Sequence, residues 1–355
     1  MKIVIDYRLA ASSFRGMARY CREITNELIK NKPNNWDITI IIDKKAKQDL
    51  IPKDINLLIV PSKNYIIGEQ IWIPYYLYKL KPDIIWSPSN TFPLISPNKT
   101  SKIATIHDLI FMNKVEGKES LYQKIGRLYR KFIIEFGIND LAACCTVSLF
   151  TKNEIIKSFG KRNIIVTYNC IDQFYNKVKQ INTQKKIIKE EDTFFTVTGD
   201  APSKNFNFLL KWFKDNQQYK LIVAGIPKDS TFRNNCPKNI HILAYNIPEE
   251  ELIENYLKAK TFLFVSKQEG FGIPILEAMI SDCIIIASNR TSIPEIAGKD
   301  ALYINPDNLT SLTEAIQNIR NYKIDKEYRN EHLQKYFKWE KSAKILIQLF
   351  KQIKK

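Results

Sequence analysis

Glu269 and Glu277 stand eight residues apart, with Gly270-Phe271-Gly272 and Pro274 between them. An ionised carboxylate only accepts hydrogen bonds, so two of them in one place suit the adjacent hydroxyls of a sugar. The surrounding stretch, FLFVSKQEGFGIPILEAM over 262–279, reads as strand, loop and helix. Pro274 falls at a helix start, where its missing N–H costs nothing. The flanking glycines let backbone come close to a ligand just before a helix N-terminus, which suits a diphosphate oxygen. Two glutamates at this separation carry little meaning alone, and a first-turn Glu often only complements the helix dipole. The Gly-Phe-Gly and the proline between them make the pattern specific.

Elements must position such groups, and the chain alternates short β-rich apolar runs with helical patterns, the sign of parallel βαβ architecture. Candidate strands in the first half are 2–7, 38–42, 56–60, 84–87, 102–106, 143–147 and 164–168, with amphipathic helices over 19–30 and 120–136. The second half offers strands 194–198, 220–224, 240–243, 262–265, 283–287 and 302–304, with helices over 206–215, 248–257, 274–280 and 309–322. The polar run KVKQINTQKKIIKEED, residues 177–192, reads as a linker. The expected fold is therefore α/β: two doubly wound, Rossmann-like domains facing across a cleft. Ligands of such sheets bind at the carboxyl ends of the strands, and two facing sites suit transfer of a group between two bound molecules.

Composition narrows the class. The chain has 355 residues with 54 Lys+Arg against 37 Asp+Glu, a formal charge of +17. The charge is uneven: residues 1–170 hold 26 basic and 15 acidic side chains, residues 171–334 hold 21 of each, and residues 335–355 hold seven lysines against Glu340. No basic run is interleaved with stacking aromatics, and no zinc-finger, RNP or basic-zipper pattern occurs, so no nucleic-acid partner is expected. The six cysteines show no C-x-x-C pair, which disfavours zinc and a disulfide framework and fits a reducing compartment. No apolar run spans a bilayer, and the opening MKIVIDYR reads as a strand, so a cytoplasmic protein is expected. The segment IWIPYYLYKL at 71–80 reads foremost as a helix burying aromatics on its own sheet, and secondarily as an interfacial surface.

The run EGFGIPILEAM, followed by ASNRTSIPEIAGKDALYINP, resembles the donor-site signature of retaining family 4 (group 1) glycosyltransferases, which have the GT-B fold. FRGMARYCR, IWSPSN, TIHDL, VSLFTKNEI, YNCID, VTGDAPSKN and FKWEKSA follow in the family's order, so the resemblance extends through most of the chain. It implies an acceptor-binding domain at 1–176, a nucleotide-sugar domain at 177–334, and a closing helix at 335–355 that packs back on the first domain. It also implies residue roles. Glu277 would bind the ribose hydroxyls, and Glu269 the hydroxyls of the transferred sugar near its anomeric centre. The backbone of Gly270, Phe271, Gly272 and Ile273 would hold the diphosphate and sugar. Lys204 would neutralise the departing diphosphate, with Gly199, Asp200 and Asn205 beside it on the donor side. Gly16 would let the first loop approach the donor phosphates. His107 would contact sugar or acceptor, with Asp108 and Arg15 on the acceptor side. Taken alone, Lys204 is a solvated loop lysine, His107 a structural histidine at a strand end, and Gly16 a turn glycine.

The chain departs from the family pattern where Asp200 follows Gly199 and where Cys170 replaces a glycine; Arg15 or Arg290 would have to supply any missing phosphate contact. No D-x-D occurs, so neither a metal nor another cofactor is expected. The expected function is retaining, metal-independent transfer of a hexose-type sugar from a nucleotide diphosphate-sugar to a glycan or lipid-linked acceptor. The setting implied is surface-polysaccharide, O-antigen or lipopolysaccharide assembly, with peripheral contact to an anionic membrane on its inner face. The alternative is an anionic-surface or nucleic-acid binding protein on a catalytically degenerate GT-B scaffold. Base, acceptor and oligomeric state stay open.

Overall fold

A computed structural model describes residues 1–13, 16–113, 120–234 and 236–354. The chain divides into two compact units, Met1–Cys170 with Phe337–Lys355, and Ile171–Tyr336. The first is rich in charge, with 32 basic against 16 acidic side chains, and the second is nearly balanced, with 22 against 21.

Unit 1 is built on seven parallel strands: β1 (Lys2–Asp6), β2 (Asp37–Asp43), β3 (Asn56–Val60), β4 (Ile84–Ser87), β5 (Ser101–Ile106), β6 (Ala143–Thr146) and β7 (Ile164–Val166). Their order is β3-β2-β1-β4-β5-β6-β7. Helices cover both faces of such a sheet, so its central strands read as continuous Ile/Val runs. The helices used below are α1 (Gly16–Asn31), α2 (Ile73–Leu80), α3 (Leu121–Gly137) and α4 (Leu149–Phe159).

Unit 2 repeats the plan with β8 (Glu190–Val197), β9 (Lys220–Ala224), β10 (Ile240–Ile242), β11 (Ala259–Phe264), β12 (Ile284–Ser288) and β13 (Leu302–Ile304). Their order is β10-β9-β8-β11-β12-β13, again all parallel. Its helices are α5 (Asp172–Lys185), α6 (Phe206–Asp215), α7 (Glu249–Lys258), α8 (Ile273–Ile280), α9 (Leu309–Asn318) and α10 (Lys326–Tyr336). The chain then returns to unit 1 as α11 (Trp339–Lys354), which packs on α1. It buries Ala343, Leu346 and Phe350, and the Phe350 ring lies 6.1 Å from both Trp36 and Trp86.

Each strand expected from the sequence is present, with ends shifted by a few residues. The linker reading of 177–192 is corrected: residues 172–185 form α5 and β8 begins at Glu190. Phe174, Val178 and Ile181 recur one helical turn apart and are buried. Lysines on the helix's polar side meet glutamates of α7. Lys177 pairs with Glu249, and Lys185 lies 2.8 Å from Glu250 and 2.6 Å from Glu254. A charge-rich composition thus concealed an amphipathic helix whose polar face has partners. The reading of 71–80 is corrected in part: Ile73, Pro74 and Leu77 face the core, while Tyr75 and Tyr78 are exposed.

Candidate functional site

In each sheet the strand order reverses between the first and fourth strands, and the loops leaving those two strands flank the crevice where doubly wound sheets bind ligands. In unit 2 these are the loops after β8 and β11, and they carry the two motifs singled out in the sequence.

After β8 the chain passes half-buried Gly199 and exposed Asp200, then makes a tight turn over Pro202–Lys204. Asn205 follows at φ +58°, a left-handed conformation that Asn tolerates better than most residues. Its side-chain amide donates to the carbonyls of Val265 at 3.2 Å and Pro306 at 2.8 Å. Asn205 therefore ties three strand-end loops together. The Lys267 N–H donates to the Ser203 carbonyl at 2.7 Å and closes the same contact.

After β11 the loop carries Glu269 to within 2.7 Å of the Lys204 ammonium, an ion pair with side-chain exposures of 11% and 34% respectively. Two groups 65 residues apart in sequence, each expected at a donor site, thus meet at the strand-order reversal. The loop is held from β12. The Glu269 N–H donates to Thr291 Oγ1 at 3.1 Å, and the Ser292 hydroxyl lies 3.0 Å from the Glu269 carbonyl and 2.9 Å from that of Phe271. Thr291 sits at φ +54°, a strained conformation for a β-branched side chain and one that clusters at functional sites. Thr291 and Ser292 were given no role from the sequence, although they lie within the ASNRTSIPEIAGKDALYINP run that carries the resemblance.

Gly272 then takes φ +110° as the N-cap of α8, with Pro274 in the first turn. A Cβ there would lie 3.2 Å from Ile275 Cδ1 and 3.4 Å from the Phe264 ring. The left-handed backbone is what calls for glycine; a side chain there would also press lightly on the tip of Ile275. Phe271 is buried, Gly270 and Ile273 half-buried, and Glu277 buried with a carboxylate oxygen accepting from the Tyr256 hydroxyl at 2.9 Å. Tyr256, on α7, is a second residue that sequence reasoning missed.

The charges beside these loops are largely paired. Asp307 lies 2.7 Å from Lys267 and 3.2 Å from Arg290, and Lys267 above all holds its carboxyl below the usual range. Arg290, considered for a phosphate contact, thus has a carboxylate partner. The ensemble offers an N-terminal turn of peptide N–H groups, several cations on loops, and carboxylates at two depths. It can hold an anionic diphosphate and accept hydrogen bonds from hydroxyls. Among the described residues no group of three His, Cys, Asp or Glu side chains is placed to hold a metal ion.

In unit 1, His107 follows β5 and is buried. Its Nε2 lies 3.0 Å from the Pro88 carbonyl, so that nitrogen carries the proton; its backbone N–H donates to Asn90 Oδ1 at 2.6 Å. Tyr20 meets the ring edge-on at 4.9 Å. Burial pulls its pKa down to about 4, so the ring is neutral near pH 7. With Nε2–H given to Pro88, the neutral ring offers Nδ1 as an acceptor and brings no charge. Asp108 is half-buried and accepts from the Ile110 N–H at 3.0 Å. Gly16 opens α1 in an exposed position, and among the described residues no packing neighbour would meet a Cβ there, while Arg15 lies outside the described residues. The strand-order reversal of this sheet holds a buried network absent from the sequence reading. Arg8 donates to both carboxylate oxygens of Asp6, at 2.8 and 2.7 Å, while Glu69 accepts from Thr91 at 2.8 Å and from Tyr129.

Two family models match: glycosyltransferase family 4 over residues 14–173, and glycosyl transferases group 1 over residues 177–336. The O-antigen chain mannosyltransferase RfbU of Salmonella typhimurium is 27% identical over 310 residues, covering 80% of this chain and 82% of that one. Among solved structures, a sucrose-phosphate synthase from Thermosynechococcus elongatus aligns with a TM-score of 0.72 at 16% identity, over 99% of this chain and 98% of that one. WaaG, a glycosyltransferase involved in lipopolysaccharide biosynthesis, aligns with a TM-score of 0.70 at 13% identity, over 99% of each chain. At these identities the structural likeness speaks to fold, which is GT-B.

Proposed function

This chain belongs to the group 1, family 4 glycosyltransferases, and we propose that it transfers a mannosyl residue from a nucleotide diphosphate-sugar in O-antigen or lipopolysaccharide assembly. The observation that carries this reading is the meeting of Lys204, Glu269 and the Gly272–Glu277 turn where the order of the unit 2 sheet reverses. The diphosphate lies against the N-terminal turn of α8, and Glu277 accepts from the ribose hydroxyls. Lys204 exchanges part of its contact with Glu269 for the departing phosphate, while Glu269 accepts from hydroxyls of the transferred sugar. Fixed positive charge where negative charge develops needs no reorganisation during the reaction, which is why such groups lower barriers.

The reaction retains configuration by displacement on one face. The bond from the anomeric carbon to the diphosphate oxygen breaks, and the acceptor oxygen bonds to the same face. The acceptor's proton passes to the departing phosphate. Lys204 and the helix N-terminus supply the charge stabilisation without a metal. Unit 1 meets the acceptor, with neutral His107 and Asp108 at its strand end, and its excess charge favours peripheral contact with an anionic membrane.

Thermal-shift titration with UDP-, GDP-, ADP- and dTDP-sugars tests the donor site on wild type and Glu277→Ala. The matching donor raises the melting temperature by binding only the folded state, and the variant loses most of that rise. An undiminished shift in the variant refutes the assigned site. Trapping of a glycosyl adduct on a carboxylate refutes the same-face displacement.

A further inference from the structure

We propose that Glu69 is a positioning residue: it holds the loop after β4 so that this loop fixes the tautomer and orientation of the His107 ring. Residues 88–93 of the loop are buried yet belong to no helix or strand. Buried backbone without a ladder must find its hydrogen bonds elsewhere. Here the side chains of the segment before α2 supply them. The Gln70 amide donates to the Phe92 carbonyl at 3.0 Å, and its Oε1 accepts from the Leu94 N–H at 3.0 Å. Glu69 accepts from the Thr91 hydroxyl at 2.8 Å, and the Tyr65 hydroxyl lies 3.4 Å from Ser89 Oγ and 3.3 Å from Thr91 Oγ1.

The loop in turn holds the histidine. Asn90 Oδ1 accepts from the His107 backbone N–H at 2.6 Å, and the Pro88 carbonyl lies 3.0 Å from Nε2. From α4 the Thr151 hydroxyl donates to the His107 carbonyl at 3.2 Å. The hydrogen bond made by one ring nitrogen decides which of the two carries the proton. A carbonyl only accepts, so Pro88 keeps the proton on Nε2 and leaves Nδ1 to accept from a hydroxyl. Both loop contacts to His107 come from residues one to three positions before Thr91, the point that Glu69 anchors.

The surroundings of Glu69 are built around its carboxylate. It is wholly buried, and Thr91, Tyr129 of α3, Gln70 at 3.2 Å and Arg8 at 3.4 Å all donate to it. Arg8 is held by both carboxylate oxygens of Asp6 and by the Tyr65 carbonyl at 3.0 Å, with its guanidinium 4.3 Å above the Tyr65 ring. Gly68 makes room for it, since a Cβ there would lie 2.5 Å from Arg8 Nη1. Gly68–Trp72 form a turn of π-helix, a distortion frequent at functional sites. Stability alone would be served as well by apolar side chains, because a buried ion pair is weak support for a fold. Apolar side chains could not hold the Thr91 hydroxyl. That His107 bears on transfer rests on the function proposed above; the hold of Glu69 on its ring does not.

The test reads the ring directly. The chain has three histidines, so long-range proton–nitrogen NMR spectra of the full chain labelled in histidine resolve His107, assigned by its loss in His107→Gln. Wild type should show the neutral Nε2–H form down to about pH 5, given a pKa of about 4. Thr91→Val keeps the side-chain shape and the Arg8 contact but removes the link, and Glu69→Gln removes the charge. Both should mix in the Nδ1–H form and move the ring pKa up toward its ordinary 6.5, while Thr91→Ser, which restores the hydroxyl, should return the wild-type spectrum. In transfer assays both should lower kcat about tenfold or more with the donor-induced thermal shift unchanged. An unchanged tautomer and pKa in Thr91→Val would overturn the proposal, even if Glu69→Gln fails to fold. So would equal disturbance of the ring in Thr91→Ser and Thr91→Val. Absence of transfer by wild type would count against the proposed function instead, while the ring spectra still decide the role of Glu69.

Discussion

Replacing Lys204 with Met separates a catalytic role from a structural one. In the donor-free protein the ammonium lies 2.7 Å from Glu269, with side-chain exposures of 34% and 11%. A pair this open to solvent contributes about 1 kcal/mol or less, and leaving the less exposed Glu269 without its cation raises the total to about 1–2 kcal/mol. For a unit of this size that lowers the melting temperature by about 2–8 °C. Turnover responds on another scale. Loss of one preorganised group from developing negative charge costs about 10²–10³ in kcat, or ~2.7–4 kcal/mol. The assay pairs thermal melts with steady-state transfer, using the nucleotide-sugar that gives the largest thermal shift. Lys204→Met should lower the melt somewhat more than Glu269→Gln, which strands only the more exposed lysine, and the two should show coupling in the double variant, since each removes the same contact. Lys204→Met should in addition lower kcat at least about a hundredfold, and Lys204→Arg should recover part of it. Turnover within about threefold of wild type in Lys204→Met would mean that Lys204 only holds Glu269, and the leaving-group argument would fall.

Gly272→Ala should destabilise unit 2 by about 1–3 kcal/mol through its left-handed backbone and weaken donor binding, seen as a lower melt and a smaller donor-induced shift. Arg329 donates to Asp300 at 2.5 Å and to the Met279 and Cys283 carbonyls, at 2.9 and 3.0 Å, behind the helix that carries Glu277. Arg329→Met leaves Asp300 buried and unpaired, so urea unfolding should show a loss of about 3–5 kcal/mol. Burial lowers the His107 pKa to about 4, against an ordinary value of 6.5. The unfolded chain therefore binds the extra proton first as pH falls. Stability should be unaffected above about pH 7, decline through about 6.5 and level off below about 4, a loss of roughly 3 kcal/mol that a flatter His107→Gln profile would isolate.

The strands and most helices were legible because each depends on residues close in sequence. The run KIVID cannot be read as much else, and Phe206–Asp215 repeats its apolar residues at helical spacing. The stretch from Glu269 to Glu277 was legible for the same reason: strand, glycine turn, proline and helix lie within one short segment. Residues 177–192 were not legible, because the lysines that suggested a linker make sense only beside the acidic start of α7. Asn205 stood among the donor-side residues, and the part its amide plays in tying the loops at Val265 and Pro306 has no sign in the sequence.

What the sequence determined by itself is thus the local grammar: two doubly wound halves, a glycine turn opening a helix, and a charge excess confined to particular segments. Tertiary structure decided the partnerships. Thr291 and Ser292 clamp a loop about twenty residues earlier in the chain. Lys204 reaches Glu269 across 65 residues. Leu121, Ile125 and Leu128 show helical spacing in the sequence, yet only the packed unit reveals that this face is exposed rather than core. Hydrogen bonds, ion pairs and burial act over a few ångströms of space, and the path of the chain between their ends leaves no local trace in either segment.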